Sequence, residues 1–308
     1  MKYKVVSLNI SEKKGTIKKP VVEVEINERG IINDAHAGDW HRQISLLAKE
    51  NIDTFIENSN RETGHGEFAE NITTKGIDLS SVSVLDRFKI NDVELEITQI
   101  GKKCHGAGCA IYDEVGECIM PKEGIFSRVI TGGTIKNGDE IEFIPKSLKF
   151  HVFTLSDRVI KGEYEDLSGP KIVEHLQDFF KDKRWHTEIE SDVLSDDKMQ
   201  LKMKLESAIN EGVDIIITTG GTGVGPRDIT PDVVASVSDK VIPGIMEHIR
   251  LKYAANNPNA LLSRGIVGLS GRTLIYTLPG NVKAINEYME EILKTMEHLI
   301  TMIYGVGH

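Results

Sequence analysis

The residue types best suited to chemistry are concentrated in one run, Thr218-Thr219-Gly220-Gly221-Thr222-Gly223-Val224-Gly225-Pro226-Arg227-Asp228. It follows Val213–Thr219, an apolar, β-branched stretch bounded by glycines that reads as a strand buried on both faces. Ligands of open α/β sheets sit beyond the carboxyl ends of such strands. Glycines there let backbone amides close on an anion, and threonine hydroxyls add donors. Arg227 offers a guanidinium for phosphate oxygens, and Asp228 a carboxylate for a divalent cation. No Gly-Lys-Ser/Thr follows, so the run is not a Walker A loop. No helix opens directly from it, so it is not the dinucleotide fingerprint either. Taken alone, it also reads as a glycine-rich turn.

A second concentration is Gly101-Lys102-Lys103-Cys104-His105. Neighbouring cations lower a thiol pKa, and the thiolate is the form that suits a soft metal. The other reading of such a cysteine is a small buried hydrophobe, which fits Cys118 in Glu117-Cys118-Ile119-Met120 better. A zinc site from Cys104, His105, Cys109 and Cys118 lacks the two close pairs of a zinc ribbon or finger. Three cysteines within 15 residues, and an N-terminus without a long apolar run, lead us to expect no signal peptide, free thiols and a cytoplasmic setting.

The elements that must position these residues differ between the two halves. Residues 1–145 carry short alternating runs, Lys2–Ile10, Val21–Ile26, Val82–Ile90, Val93–Ile100 and Glu140–Ile144, that end at Gly, Asn or Asp. Helical patterning is confined to about Leu46–Asn58, so we expect a mostly β domain, closed or half-closed as a barrel. The second half alternates. We expect strands at Phe150–Ser156, Glu188–Leu194, Val213–Thr219 and Thr273–Leu278. Helices are expected at Ser168–Phe180 with Ser168 as N-cap, Asp197–Asn210, Pro231–Ser238, Gly244–Ala255 and Val282–Ile303. That order predicts an α/β three-layer domain with a mainly parallel sheet. We place the domains at 1–146 and 150–308. At 308 residues the chain has about twice the length of a typical domain of about 150 residues.

Composition excludes several partners. The net charge is −10, split as −5 on residues 1–147 and −5 on the remainder, so neither half is a basic surface and duplex nucleic acid is not expected. No run approaches the roughly 18 apolar residues of a membrane span. Small anions remain compatible with backbone amides and a few arginines.

Thr-Gly-Gly-Thr-Gly-x-x-x-Arg-Asp-x-Thr-Pro, ending at Thr230-Pro231, resembles the signature of the molybdopterin-binding MogA/MoaB family. Leu155-Ser156-Asp157-Arg158 with Gly162-Glu163-Tyr164-Glu165-Asp166-Leu167-Ser168-Gly169 resembles its first strand and loop. Ile242-Pro243-Gly244-Ile245-Met246-Glu247-His248-Ile249-Arg250, Ser263-Arg264 and Leu278-Pro279-Gly280-Asn281 complete the set. The family usually has a second proline where this chain has Val282. The resemblance implies a molybdopterin-binding fold and Mg-ATP-dependent adenylylation of molybdopterin, with release of pyrophosphate. It implies catalytic roles and Mg²⁺ contacts for Asp196 and Asp228, with Asp197 as the adjacent alternative. It also implies molybdopterin or ATP contacts at Ser156, Asp157, Thr219, Gly220, Gly221, Thr222, Gly223, Arg227, Pro243, Gly244, Glu247, Ser263, Arg264, Pro279, Gly280 and Asn281. Simpler readings stand beside these: Asp196 as the cap of the next helix, Ser156 and Asp157 as strand-end caps, and Glu247 with Arg250 as a surface pair.

In the first half, Ile32-Asn33-Asp34-Ala35-His36-Ala37-Gly38, His41-Arg42-Gln43-Ile44-Ser45-Leu46-Leu47, Gly66–Leu79, Gly101–His105 and Glu123–Val129 resemble the MOSC domain; Asn33 stands where glycine is more usual. That resemblance implies a sulfur-carrying or metal-contacting cysteine at Cys104, with molybdenum or tungsten as the metal. It also implies cofactor or anion contacts at His36, His41, Arg42 and Arg128, although a solvated histidine or a paired arginine reads equally well. Together the two resemblances imply an enzyme of molybdenum cofactor biosynthesis, a homo-oligomer with a trimer as one form, and a metal-insertase partner. The alternatives are a non-catalytic protein that binds and delivers molybdopterin, and a nucleotide hydrolase like the CinA domain, against which the Ser156-to-Asp166 segment argues.

Overall fold

The structure is a computed structural model that describes residues 3–59, 62–102 and 118–306. The chain separates into two compact units, Met1–Lys146 and Ser147–Val306. Among the described residues no helix is long and apolar enough to cross a membrane.

The first unit is built on β1 (Tyr3–Ile10), β2 (Lys19–Val21), β3 (Glu23–Asn27), β4 (Gly30–Ile31) and β5 (Ile44–Ala48), followed by helix α1 (Lys49–Ser59). Then come β6 (Ile72–Lys75), β7 (Arg87–Ile90), β8 (Val93–Ile100), a short helix α2 (Met120–Glu123), β9 (Ile125–Thr131), β10 (Gly133–Lys136) and β11 (Glu140–Ile144). The order β11-β7-β8-β9-β5-β6-β1 closes on itself because β11 also pairs with β1, which makes a barrel without free edges in that ring. A side sheet, β10-β3-β4, lies outside that ring. The core is Leu8, Ile44, Leu46, Ile72, Phe88, Leu95, Ile97 and Ile125, all fully buried.

Helix α1 starts later than the apolar pattern suggested. Ile44–Ala48 is a strand, parallel to β6 and antiparallel to β9, with all five residues buried. A short, wholly apolar run has no period to distinguish helix from strand, and pairing on both sides decides it. Val82–Asp86 is likewise not strand; the chain makes a 3₁₀ turn at Leu79–Ser81, and Leu85 has φ 75° before β7 begins.

The second unit opens with β12 (Ser147–Leu155), the short helix α3 (Asp157–Ile160), α4 (Ser168–Phe180), β13 (His186–Leu194), α5 (Lys198–Asn210), β14 (Ile215–Thr219) and α6 (Thr230–Val237). It continues with β15 (Lys240–Val241), α7 (Pro243–Ala254), a 3₁₀ turn at Pro258–Leu262, β16 (Val267–Ser270), β17 (Thr273–Leu278) and α8 (Val282–Ile303). The sheet order is β13-β12-β14-β17-β16-β15. The first four strands are mutually parallel; β16 pairs antiparallel with β17, and β15 pairs antiparallel with β16, which returns it to the direction of the first four. Phe153, Leu155, Ile216 and Ile275 pack under α5 and α6 through Leu201, Leu205, Val233 and Val234. The alternate residues face α4 and α8, with the rings of Phe150 and Phe180 5.4 Å apart. Helices on both faces complete three layers.

Candidate active site

Three loops converge at the carboxyl edge of the parallel strands. At the end of β12, the Ser156 hydroxyl oxygen accepts from the Val159 amide and caps α3. At the end of β13, the Asp197 carboxylate accepts from the Gln200 amide at 2.7 Å and caps α5. The residue before it, Asp196, is thereby left to face the edge. Its backbone amide donates to Asp157 Oδ1 at 3.1 Å. Arg227 joins the two carboxylates: its guanidinium donates to Asp196 Oδ2 at 2.9 Å and to Asp157 Oδ2. The guanidinium is 63% exposed, whereas the carboxylates of Asp157 and Asp196 are 30% and 18% exposed.

The glycine run after β14 has left-handed backbone at Gly220 (φ 102°) and Gly221 (φ 63°). A Cβ at Gly220 would lie 2.5 Å from the Leu155 carbonyl oxygen, so the run requires glycine there. The Gly220 amide donates to Leu278, the Thr230 amide to Gly221, and the Thr230 hydroxyl to the Gly220 carbonyl. The Thr219 hydroxyl donates to the Pro279 carbonyl at 2.9 Å. The amides of Gly221, Thr222 and Gly223 meet no acceptor among the described residues. Successive free amides of this kind form an anion-binding concavity.

Asp228 turns back onto its own loop, with Oδ2 accepting from the Gly225 amide at 2.7 Å. In place of a direct Asp196–Asp228 pair, Arg227 therefore gathers Asp157 with Asp196, while Asp228 shapes the turn that presents Arg227. Arg264 braces the same turn. It donates to the carbonyls of Gly223 (2.8 Å) and Asp228 (2.5 Å), and its two terminal nitrogens reach Asp232, each at 3.0 Å. That bidentate bond from Arg264 holds the Asp232 carboxyl below its ordinary range. The Ser263 carbonyl accepts from Arg250, as does that of Gly265, so Arg250 ties down the segment leading into β16. Pro243, Gly244 and Glu247 lie exposed at the start of α7, and none forms a hydrogen bond or ion pair with the glycine run among the described residues.

Ser168 does not cap α4. The N-cap position is Leu167, and the carboxylate of the residue before it, Asp166, takes the first amides: its Oδ1 accepts from the Ser168 and Gly169 amides while Oδ2 accepts from the Thr154 hydroxyl. The Ser168 hydroxyl instead donates to the Gly280 carbonyl. Beyond it, Asn281 caps α8 by accepting from the Ala284 amide at 2.9 Å. This places Val282 at the first helical position, where proline is favoured because its fixed φ suits the helix. The Asn281 cap holds the turn without that proline. A cavity of about 330 Å³ opens between these loops, lined by residues that include Thr154, Ser156, Arg158, Tyr164, Thr219 and Asn281. Arg158, Tyr164, Glu165 and Thr154 are among its lining residues that were not expected as contacts.

In the first unit, His36 belongs to a buried polar group. Lys18 Nζ donates to Asp34 Oδ2 at 2.5 Å and lies 3.1 Å from His36 Nδ1. Burial pulls the Lys18 amine down. Burial would raise the Asp34 carboxyl, but the His36 and Lys18 bonds overcome it and hold it low. Asn33 has φ 68°, a left-handed conformation in which glycine is the easiest residue and asparagine among the next. Arg128 donates twice to Glu96 Oε1. Arg42 has no carboxylate partner among the described residues; its guanidinium lies 4.9 Å from the centroid of the Trp40 ring, and its Nε is buried without an acceptor. Burial, then Arg42 and Arg128, push the His41 imidazole below its usual pKa. Cys104, His105 and Cys109 lie outside the described residues. Cys118 is half-buried beside the Phe55, Phe68 and Met120 cluster. Among the described residues no three His, Cys, Asp or Glu side chains gather as a metal site.

The similarities to known proteins divide along the same two units. Residues 151–298 match the family described as a probable molybdopterin binding domain, and residues 33–142 match the MOSC domain. A molybdopterin adenylyltransferase of Helicobacter pylori is 34% identical over 161 residues, 52% of this chain and 90% of that protein. One of Pyrococcus furiosus is 34% identical over 161 residues, 51% of this chain and 91% of that protein. A molybdenum cofactor biosynthesis bifunctional protein of Chlorobaculum tepidum is 28% identical over 179 residues, 58% of this chain and 54% of that protein. The glycine run, its bracing arginine and the converging strand ends thus lie within the matched segment, and the chain belongs to the MogA/MoaB-like molybdopterin-binding family, with a MOSC domain ahead of the family domain.

Proposed function

We propose that the second unit adenylylates molybdopterin with ATP. A terminal phosphate oxygen of the pterin attacks the α-phosphorus of ATP; the bond to the bridging oxygen breaks and pyrophosphate leaves with the electron pair. The observation that carries this reading is the set of free amides at Gly221, Thr222 and Gly223 beside the exposed Arg227 guanidinium. Phosphoryl chemistry of this kind needs alignment and charge neutralisation more than covalent help. The amides would cradle phosphate oxygens, and Arg227 would supply positive charge. Asp228 and Arg264 would hold the loop in the shape that presents both.

A divalent cation fits this edge. Arg227 already stands as a cation between the Asp157 and Asp196 carboxylates, and a hard oxygen donor set suits Mg²⁺. Asp157 and Asp196 would hold it, with Asp228 next to the same loop. When bound, it would screen the triphosphate charge and favour departure of pyrophosphate. In the first unit, we read Arg42 as a contact for the anionic end of a cofactor, supported by its unpaired guanidinium. The assignment of Cys104 to sulfur or metal, a cytoplasmic setting, an oligomeric form and a metal-insertase partner belong to the same reading.

The experiment is pyrophosphate release from ATP and Mg²⁺, with and without purified molybdopterin. Pterin-dependent release with AMP appearing on the pterin is expected. Asp228→Asn should abolish transfer while leaving pterin binding largely intact. Pterin bound in a 1:1 complex with no release would overturn the reading and make the protein a carrier.

A further inference from the structure

A second cavity, of about 660 Å³, opens in the first unit between α1 and the chain from Cys118 to Glu123. That size is ordinary for a ligand site. It lies off the far end of β5: His41 and Arg42 precede that strand, and α1 leaves from its other end. Both walls are held from beneath. Ile52 and Phe55 bury the inner face of α1, with the Phe55 ring 5.1 Å from that of Phe68. Met120 is buried in the same cluster, and the Pro121 carbonyl accepts from the Lys102 amide at 3.2 Å. The floor, to which Phe55, Ile119 and Pro121 contribute, is therefore apolar and fixed.

The rim is polar and uncommitted. Asn51, Asn58, Lys122 and Glu123 line it, and none of their side chains makes a hydrogen bond or ion pair among the described residues. Glu50, also on the rim, accepts from the Gly76 amide and has no cation beside it among the described residues. Two carboxylates thus stand against one ammonium. Asn51 and Asn58 are seven residues apart on one face of α1, which separates them by about 10.5 Å along the helix. In a polyproline II segment, carbonyls three residues apart point the same way and stand about 9.3 Å apart. Two asparagine amides at that spacing can each donate to one such carbonyl, while an apolar side chain between them reaches Phe55. We infer that this groove docks an extended, polyproline II-like segment of a partner protein, with an apolar side chain on Phe55 and Ile119 and basic side chains beside Glu50 and Glu123. Such a segment is preformed, so little ordering entropy opposes the contact. An acidic segment would set its carboxylates against Glu50 and Glu123 and satisfy only Lys122. The inference goes beyond adenylyl transfer and does not depend on it, because these lining residues all belong to the first unit.

The test uses the full chain, with the end-blocked peptides Lys-Pro-Leu-Pro-Lys and Glu-Pro-Leu-Pro-Glu as probes, titrated to millimolar concentration by NMR. The basic peptide should shift the side-chain amides of Asn51 and Asn58 and the backbone amides of residues 119, 122 and 123. The acidic peptide should bind at least about tenfold more weakly. Asn51→Ala combined with Asn58→Ala should weaken the basic peptide about tenfold, the scale of two lost hydrogen bonds. Glu123→Lys should narrow or reverse the preference between the two peptides. These side chains make no bond within the fold, so the unfolding midpoint and pyrophosphate release should be unchanged in every variant. The absence of shifts at these amides with the basic peptide would overturn the assignment. So would binding that neither the paired asparagine replacement nor the charge reversal alters, or shifts confined to the second unit. Peptide binding as expected in a wild type that never releases pyrophosphate would end the adenylyl-transfer reading and leave this one standing.

Discussion

The two units place their charges in opposite ways. In the barrel unit the Lys18 amine and the Asp34 carboxylate are 0% and 1% exposed and bonded to each other. Glu70 is buried as well; its Oε1 is filled by the Gly66 amide and the Thr73 hydroxyl, and burial pushes its carboxyl up. In the α/β unit the central strands β14 and β17 carry no charged side chain, and the charged groups of the site stand at the carboxyl ends of the parallel strands, where Arg227 reaches solvent. A charge pair sealed from water is strongly specified by its partner and is unavailable to a ligand. A pair at the rim contributes little to stability and can exchange one partner for another.

Breaking each pair should expose that difference. Asp34→Ala leaves the Lys18 amine buried and unpaired, and should cost the first unit about 3–5 kcal/mol in denaturant unfolding. Replacing both, Lys18→Met with Asp34→Leu, should recover most of that loss. A small effect from Asp34→Ala alone would show that the amine reaches water after all. Arg227→Ala should instead change stability by less than about 1 kcal/mol. Adenylyl transfer should nevertheless fall by about 10²–10³, the scale of losing one positioned donor to developing charge. A variant that transfers normally would move the phosphate contact elsewhere on the loop.

Two smaller measurements sharpen the contrast. The Tyr276 hydroxyl is fully buried in β17 with no partner among the described residues, and burial pushes its phenol up. Tyr276→Phe removes that unsatisfied group and should raise the stability of the second unit by about 1 kcal/mol, measured by thermal unfolding. The smallest expected effect concerns pH. Burial, followed by neighbouring cations, pulls His41 and His65 below their ordinary value of 6.5. The unfolded chain then binds more protons than the folded one. The stability of the first unit is complete above pH 6.5 and declines as pH falls through the depressed values. Added phosphate should narrow that decline if Arg42 and His41 take an anion together, and calorimetry at two pH values would read it.

Long elements were legible because their patterns are local. Thr273–Leu278 and Val282–Ile303 have the bounds expected from sequence, since each is a full-length periodic or apolar run with turn residues at both ends. Ile44–Ala48 was not legible as a strand, because its partners lie about 30 and 80 residues away. The same distance separates what could be read at the site from what could not. The glycine run declares itself in sequence. The choice between Asp196 and its neighbour does not, since both follow β13 and only the backbone turn at Asp197 shows which one caps the helix. The meeting of Asp157, Asp196 and Arg227 joins three loops from across 70 residues, which no spacing encodes. Asn33 and Val282 departed from the usual residue at turns. In each case the reason is conformational: a positive φ that asparagine tolerates, and a helix start that a neighbouring cap secures.

The close approach of Gly280 to Gly220 has a thermodynamic consequence. A Cβ on Gly280 would lie 3.3 Å from the Gly220 Cα, so the turn that borders the active-site cavity rests on the turn that opens the amide cradle. A side chain at position 280 would press directly on the glycine run. A ligand that displaced either turn would act on the other, and the factor by which it changed affinity there would be the same in both directions.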